Sequence, residues 1–519
     1  MINQVITRLS LLFFVILFNF LNISYSQVKV NQTFLAGYYG GVDIDSVYKN
    51  FIFVTKSDTG LVFSPKVYSE YELGLTQAST HCDAFGNPLL QWQGCYLLDA
   101  KTMKPINNGE FNKGPGTVAT DTWPDPFCGK YIFEGDPGPG TFKPYFAPWS
   151  TFILDRDDIS NLLLVYYRTY NMPLGNINYM HFAGINMKNG PDQKPTVIFK
   201  DSLAVGTINL KYGTINAIRH GNGKDWWITF SESNTYNWYA MLWDGISLHN
   251  PIKSTVLEID GFEMPEGMTA TSPDGTKIAI HHANGFGILN FDRCSGKISY
   301  NSRGKVPEEN HSTPFRFVEF SPNNRFVYLS TILNIYQFDL LDPDFDQSRS
   351  LVATFDESIP VDNPYPGYFS TPFRGFDGKL YYWCFNTAKR VHRMAFPDQK
   401  GPDVGFTQYF YKLPIYPSQF TPTFIDYNTP ALPEPCELNS NQLTEIQIKF
   451  TPNPTNGYIK AVFNDAYNYN IASIIDLNGR ILWKGESRLL KDGINVEEYS
   501  GGIYHVFFDG KFAGRFVKI

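Results

Sequence analysis

Two acidic runs have the composition of a cation site. Asp342, Asp344 and Asp346 alternate along Asp342-Pro343-Asp344-Phe345-Asp346, and alternate carboxylates supply the hard oxygen ligands that calcium takes. The run lacks the glycine at the sixth loop position and the later glutamate of an EF-hand, so a solvated loop between strands competes with a cation site. Asp155-Arg156-Asp157-Asp158 carries its own neutralising arginine. His281-His282 ends a β-like run, where alternation sends the two rings to opposite faces and argues against one shared metal. His220, in Arg219-His220-Gly221-Asn222-Gly223, reads as a turn residue bonded to backbone. Aromatic rings crowd Trp226-Trp227, residues 236–243 and Tyr381-Tyr382-Trp383. Exposed, they would stack on sugars; inside strands, they would fill a core. The glycines of Gly135-Asp136-Pro137-Gly138-Pro139-Gly140 alternate with prolines, which remove the N–H groups that cradle phosphate. GxxxxGK[ST], HExxH and GxSxG do not occur, so the common nucleotide and hydrolase signatures are missing. No catalytic or cofactor-binding residue is assigned, no cofactor is called for, and the three aspartates are the one metal candidate.

The elements that would position any such group are strands. The chain has 519 residues, 43% of them hydrophobic and 16% aromatic, which is too apolar for a disordered chain and long enough for more than one domain. With 42 Gly and 34 Pro it has the punctuation of a turn-rich β protein. A net charge of −7 argues against a nucleic-acid partner, which would require a basic footprint. The six cysteines, Cys82, Cys95, Cys128, Cys294, Cys384 and Cys436, contain no CxxC. In an oxidising compartment they permit disulfides; buried thiols are the other reading.

Residues 1–26 have the layout of a secretory signal peptide. Arg8 precedes the apolar run Leu9-Ser10-Leu11-Leu12-Phe13-Phe14-Val15-Ile16-Leu17-Phe18, and Ser24-Tyr25-Ser26 is a small-x-small triplet, which places the cut between Ser26 and Gln27. The apolar run is shorter than the ~20 residues of a spanning helix. Export through the Sec machinery follows from this reading.

One unit recurs from residue 86 to residue 383: a tight polar turn, then a short apolar run rich in β-branched and aromatic residues. It appears at Gly86-Asn87-Pro88, Ser160-Asn161, Asn222-Gly223-Lys224-Asp225, Ser272-Pro273-Asp274-Gly275, Ser321-Pro322-Asn323-Asn324 and Phe376-Asp377-Gly378-Lys379. Asn-Gly and Asp-Gly pairs supply the positive φ of a tight hairpin, and the following run suits a buried strand. Gly223 to Gly275 is 52 residues, Asp274 to Asn323 is 49 and Asn323 to Asp377 is 54, the size of one four-stranded propeller blade. Six repeats predict six blades. The extended stretches 50–55 and 420–427 are expected to pair as a seventh, composite blade, because an open ring would leave reactive strand edges at its seam. The Ser-Pro-Asp-Gly turn before a strand resembles that of WD-repeat and TolB-like propellers, and residues 60–427 resemble a propeller type common in exported proteins of Bacteroidetes. That resemblance implies a fold and no particular activity.

Asn428-Thr429-Pro430-Ala431-Leu432-Pro433-Glu434-Pro435 reads as a stiff linker. Behind it, short strands and turns to residue 519 suit a small β-sandwich. Here Pro452, Asn453, Pro454, Asn456 and Gly457 stand in the run Pro452-Asn453-Pro454-Thr455-Asn456-Gly457. They are followed in order by Asp476 and Gly479, Ile494-Asn495-Val496, Gly502 and Tyr504, and a terminal Phe516-Val517-Lys518-Ile519. This series resembles the type A C-terminal sorting domain of the type IX secretion system. The resemblance implies passage through the type IX translocon to the cell surface or medium, usually with removal of the domain, and often attachment to surface lipopolysaccharide. The fold class expected is therefore all-β: a signal peptide over 1–26, a β-propeller of about seven four-stranded blades over 27–427, a Pro-rich linker over 428–445 and a sorting β-sandwich over 446–519. The leading functional reading is a non-catalytic module binding an extracellular ligand. A hydrolase or lyase acting on polysaccharide in the propeller channel, and a structural or adhesive surface component, are the alternatives. An enzyme would show a His–carboxylate pair or paired carboxylates at one channel mouth.

Overall fold

In five of the six repeats the polar turn holds one residue in a left-handed conformation, which lets two strands fold back tightly. In the computed structural model Gly86, Gly223, Gly275, Asn324 and Gly378 have φ of 82°, 73°, 70°, 62° and 74°, all in the region that favours glycine or asparagine. The structure describes residues 33–36, 50–57, 60–67, 79–83, 86–92, 96–111, 142–143, 151–156, 160–172, 175–188, 194–203, 208–211, 213–256, 269–282, 285–305, 316–362, 366–384, 388–414, 425–434, 436, 449–462, 471–476, 481–508 and 511–519. All six repeats fall on the same hairpin, between the innermost strand of a blade and its second strand. The serines that open two of them accept from the first amide of the second strand: Lys277 N to Ser272 Oγ at 2.9 Å and Phe326 N to Ser321 Oγ at 2.8 Å.

Four blades are four-stranded antiparallel sheets in simple sequence order. Blade four is Asn216–Arg219, Trp226–Ser231, Asn237–Trp243 and Ile252–Thr255. Blade five is Thr269–Thr271, Lys277–His282, Gly285–Phe291 and Ile298–Lys305. Blade six is Phe317–Phe320, Phe326–Ser330, Asn334–Asp339 and Ser350–Thr354; blade seven is Phe369–Arg374, Leu380–Cys384, Arg390–Met394 and Phe406–Lys412. Blades two (Ser79–Cys82, Pro88–Trp92, Tyr96–Asp99, Pro105–Glu110) and three (Phe152–Leu154, Asn161–Met172, Gly175–Asn186, Thr196–Leu203), with the short strand Phe142–Lys143 on the far end of Asn161–Met172, join into one nine-stranded sheet. A single parallel pair, Thr196 with Asn107 on their outer strands, makes the join. Blade one, Thr33–Ala36, Asn50–Ser57 and Gly60–Val67, shows three strands among the described residues.

Successive blades bury large apolar faces against each other. Trp92 and Leu97 of blade two meet Leu164 and Tyr166 of blade three, and Phe152 and Phe182 of blade three meet Trp226 and Met241 of blade four. Trp227 and Trp238 pack on Ile278 and Leu289 between blades four and five. Val54 and Leu61 of blade one pack on Phe373, Tyr381 and Trp383 of blade seven, which brings the two ends of the propeller together. The expected composite blade is corrected here. Residues 50–55 belong to blade one with neighbours of their own on both sides. Residues 420–424 lie outside the described residues, and Ile425 to Tyr427 form no strand but pack between blades three and four. Side-chain packing, rather than a strand shared with residues 425–427, joins blade seven to blade one among the described residues.

The last domain has two sheets. Lys449–Thr451, Tyr458–Val462 and Ile494–Asn495 form one; Ile481–Glu486, Ile471–Asp476, Gly502–Phe508 and Lys511–Lys518, in that spatial order, form the other. They share one core of Phe450, Ile459, Ile474, Val506 and Phe516, closed by Leu490 from the helix Ser487–Asp492. That helix is not anticipated by the sequence reading, since six residues are too few for a helical period to show.

Two of the turn glycines separate backbone strain from crowding. A Cβ on Gly378 would meet nothing within 4 Å, whereas one on Gly275 would lie 2.9 Å from Ile218 Cγ2. Gly378→Ala is expected to cost about 1–2 kcal/mol for the left-handed backbone alone, and Gly275→Ala distinctly more. Guanidinium unfolding of both variants checks the order.

Candidate functional site

The inner strands carry polar residues to the axis, and where these strands end at the repeated turns their charges pair across blades. Arg374, at the end of Phe369–Arg374, places Nε 3.3 Å from Glu319 Oε1 of blade six and Nη1 3.5 Å from Asp426 Oδ2, and donates from Nη2 to Thr271 O of blade five at 3.0 Å. On the other side of the axis Asp155, after the inner strand of blade three, lies 3.6 Å from His81 Nδ1 of blade two and 3.8 Å from Arg219 Nη2 of blade four. The Arg219 guanidinium also sits 4.0 Å over the Trp226 ring. Arg156 reaches Asp225 at 3.1 Å. A His–carboxylate pair and a pair of carboxylates are thus present, each tied to an arginine; His81, Asp155 and Glu319 are buried and Asp426 is partly exposed. Burial raises the Glu319 pKa and nearby Asp426 adds to the rise, while Arg374 opposes it.

Residues 425–436 lie over this end of the channel. Tyr427 sets its ring 5.2 Å from Trp226, edge to face, and its hydroxyl donates to Ile153 O on the inner strand of blade three. Arg293, in the outer turn of blade five, donates to Pro430 O at 2.6 Å as well as to Arg219 O at 2.8 Å and Asp274 O at 3.0 Å. Leu432 N donates to Gly221 O at 2.9 Å. A disulfide from Cys436 to Cys294 fastens the end of the segment to blade five. The stretch from residue 428 that composition assigns to a stiff linker therefore begins as a strap held on the propeller. Its prolines leave carbonyls that blade-turn donors can use, which a linker reading overlooks.

Two of the calcium candidates serve their own loop and the third caps the last strand of blade five. Asp342 Oδ1 accepts from Asp344 N at 3.0 Å, Asp344 Oδ1 from Gln347 N at 3.3 Å and Asp346 Oδ1 from Lys305 N at 2.6 Å. Among the described residues no three His, Cys, Asp or Glu side chains are grouped to hold a metal ion. The aromatic runs are interior: Trp226, Trp227, Trp238, Tyr381, Tyr382 and Trp383 are all fully buried, so these rings are packing, not a sugar platform. His220 Nδ1 accepts from Asn222 N at 3.1 Å, as its turn position suggests. A Cys–His contact that the sequence did not signal, Cys384 Sγ to His392 Nε2 at 3.1 Å, lies in the core of blade seven. His392 Nδ1 accepts from Tyr409 N, so Nε2 carries the proton and donates to Gly367 O at 3.0 Å. Burial pushes the thiol pKa well up and the imidazole down to about 3. Both groups stay neutral at pH 7, the reverse of an activated thiolate. Asp157, Asp158 and residues 135–140 lie outside the described residues, as do Ser26 and Gln27 of the cleavage site, Cys95 and Cys128, and Gly479.

Most of the C-terminal motif residues come together. Gly502 lies opposite Lys518, Tyr504 opposite Phe516 and Asp476 opposite Tyr504, while Asn453 bonds to the backbone of Arg515 and Val517. Lys518 is buried at 8% exposure.

Residues 449–513 match the family model of the secretion system C-terminal sorting domain. No curated protein matches the chain in sequence. Among solved structures, the chain is similar to a protein from Lactobacillus plantarum at 11% identity, covering 75% of this chain and 98% of that one with a TM-score of 0.40. It is also similar to a protein from Bacteroides uniformis provisionally assigned as a 6-phosphogluconolactonase, at 12% identity, 74% and 98% coverage and a TM-score of 0.40. No described helix is long and apolar enough to cross a membrane.

Two outcomes follow from the strap and the buried carboxylate. Loss of the Cys294–Cys436 link frees a loop with a sequence separation of 142. Cys436→Ser is expected to lower stability by about 2–5 kcal/mol, read as a fall in denaturation midpoint that reductant reproduces in the wild type. Because the folded pKa of Glu319 is raised, the native state binds this proton more tightly than the unfolded chain. Its contribution favours folding in acid and is lost as pH rises above the ordinary glutamate value of 4.5 and through the folded value. The stability difference between wild type and Glu319→Gln should therefore change with pH, by at most about 1.4 kcal/mol per unit. Denaturant unfolding from pH 4 to 7.5 measures it, and a difference constant with pH would refute the assignment.

Proposed function

We propose that this chain, an exported cargo carrying a type IX sorting domain, presents a non-catalytic propeller that binds an extracellular ligand on the face opposite the repeated turns. The observation that carries the reading is Arg374 beneath the strap. Glu319 and Asp426, the carboxylates best placed for acid–base work, are neutralised by one guanidinium and lie where residues 425–436 cross the axis. The His81–Asp155 pair is likewise bridged to Arg219. A general acid or base must reach its substrate directly or through one water, and these groups instead join blades to one another. The opposite end, at which the inner strands begin, is left for recognition. In this reading Sec exports the chain, the mature protein starts at Gln27 and the propeller unit extends through Cys436. The type IX translocon then delivers it to the surface, with lipopolysaccharide as the anchor if it is retained.

Two measurements test this. Deleting residues 449–519 should leave a folded propeller trapped in the periplasm, seen by fractionation and protease protection, since the sorting domain has a core of its own. The purified propeller, incubated with surface and extracellular polysaccharides, should bind without generating new reducing ends or unsaturated sugars; sustained release would support the hydrolase or lyase reading instead.

A further inference from the structure

Of the residues that mark the sorting domain, Asn453, Gly502, Tyr504 and Lys518 come from distant positions yet meet at one strand, Lys511–Lys518. One side of that strand pairs with Gly502–Phe508; the other is an edge of the four-stranded sheet. An edge strand leaves alternate N–H and C=O groups without a ladder partner. Here Asn453 takes the partner's place. Its Nδ2 donates to Arg515 O at 3.1 Å and its Oδ1 accepts from Val517 N at 2.9 Å. The backbone of Thr455 continues the line: Thr455 N donates to Val517 O at 2.8 Å, Ile519 N donates to Thr455 O at 2.9 Å, and Thr455 forms a parallel bridge with Lys518. A carboxamide carries one acceptor and a donor in one plane, as a peptide group does, so this side chain can stand in for a strand residue. Thr455 is almost fully buried, and its Oγ1 is held by Tyr458 O, which fixes the loop on which Asn453 sits.

We infer that the export signal of this chain is the docked position of the strand Lys511–Lys518, and that Asn453 is the positioning residue that holds it. The inference rests on the sorting reading of residues 449–513 and adds to it what the motif does physically. The asparagine closes the free edge of the last strand, Gly502 and Tyr504 hold its other side, and Lys518 is thereby kept buried. A linear peptide signal would not require these residues to meet. Without Asn453, Arg515 O and Val517 N return to water and the end of the strand loosens, while the core below it, built on Ile474 and Val506, stays packed.

The test uses the full-length chain. Asn453→Ala removes both bonds; Asn453→Asp keeps the acceptor for Val517 N and loses the donor. Ile474→Val, in the core of the same sheet, serves as a control chosen for a comparable loss of melting temperature. Expected in Asn453→Ala are amide exchange at Val517 and Ile519 at least tenfold faster, unchanged exchange at Ile474, and a surface-delivered fraction at least fivefold lower. Asn453→Asp should fall between it and wild type, and Ile474→Val should be delivered normally. Normal delivery of Asn453→Ala, unchanged exchange at Val517, or an equal delivery defect in Ile474→Val would each overturn the inference. If Asn453→Ala fails to fold, Asn453→Asp carries the same comparison. Deletion of 449–519 separates the two levels: unchanged delivery of the deleted chain refutes the sorting reading itself, whereas blocked delivery beside normal export of Asn453→Ala refutes the positioning role alone.

Discussion

Arg374 is the point at which separate parts of the chain become one body. Its guanidinium bonds or pairs with blade five, blade six and the strap that follows blade seven. Arginine suits the position because its planar fork presents several donors in fixed directions and stays charged when buried. The cost of placing charge near the axis is met by two carboxylates and a backbone carbonyl, and removal of Arg374 would leave Glu319 buried without its charge partner. Arg219 and Arg293 repeat the device between blades two to five. Apolar packing between blades gives the propeller its mass of buried area, but it is indifferent to which turn sits over the channel. The arginines supply that directionality, and the strap is seated by them.

The parts of this architecture legible in the sequence are those written locally. A positive-φ residue before a β-rich run is a short-range signal, and all six copies proved to be the same hairpin. The sorting domain was legible because its motif is a series of turn and strand positions in fixed order. Trp226-Trp227 and Tyr381-Tyr382-Trp383 were ambiguous, since a ring's chemistry does not say whether it faces a neighbour blade or water. Burial settles that question, and burial depends on how separate sheets meet. The end of the expected closing strand was misread because residues 425–427 have the composition of a strand, whereas Tyr427 places its ring against Trp226 and its hydroxyl on Ile153 O. The charged groups at the axis come from positions as far apart as 81, 155, 219, 319, 374 and 426. No window along the chain holds them together.

The two domains solve the problem of strand edges differently. The propeller disperses it over a ring of separate sheets whose outermost strands, in blades four, six and seven, are short. The sorting domain has a true edge and covers it with a side-chain amide and a short stretch of backbone. The first solution accommodates strands of unequal length within a blade, as the long hairpin of Asn161–Met172 with Gly175–Asn186 shows. The second depends on a few atoms, which is why its residues read as a motif.

The disulfide from Cys436 to Cys294 also determines where a mechanical load enters the molecule. A pull on the sorting domain travels back along the chain to Cys436 and passes through the covalent bridge into the outer turn of blade five. It does not peel Phe406–Lys412, the last strand of blade seven, from its sheet one hydrogen bond at a time. The load is instead delivered to the interior of the ring, against blades packed on both sides. A domain that is towed by its tail is thereby hitched at its middle, and the outermost strand nearest the tow line is kept out of the line of force.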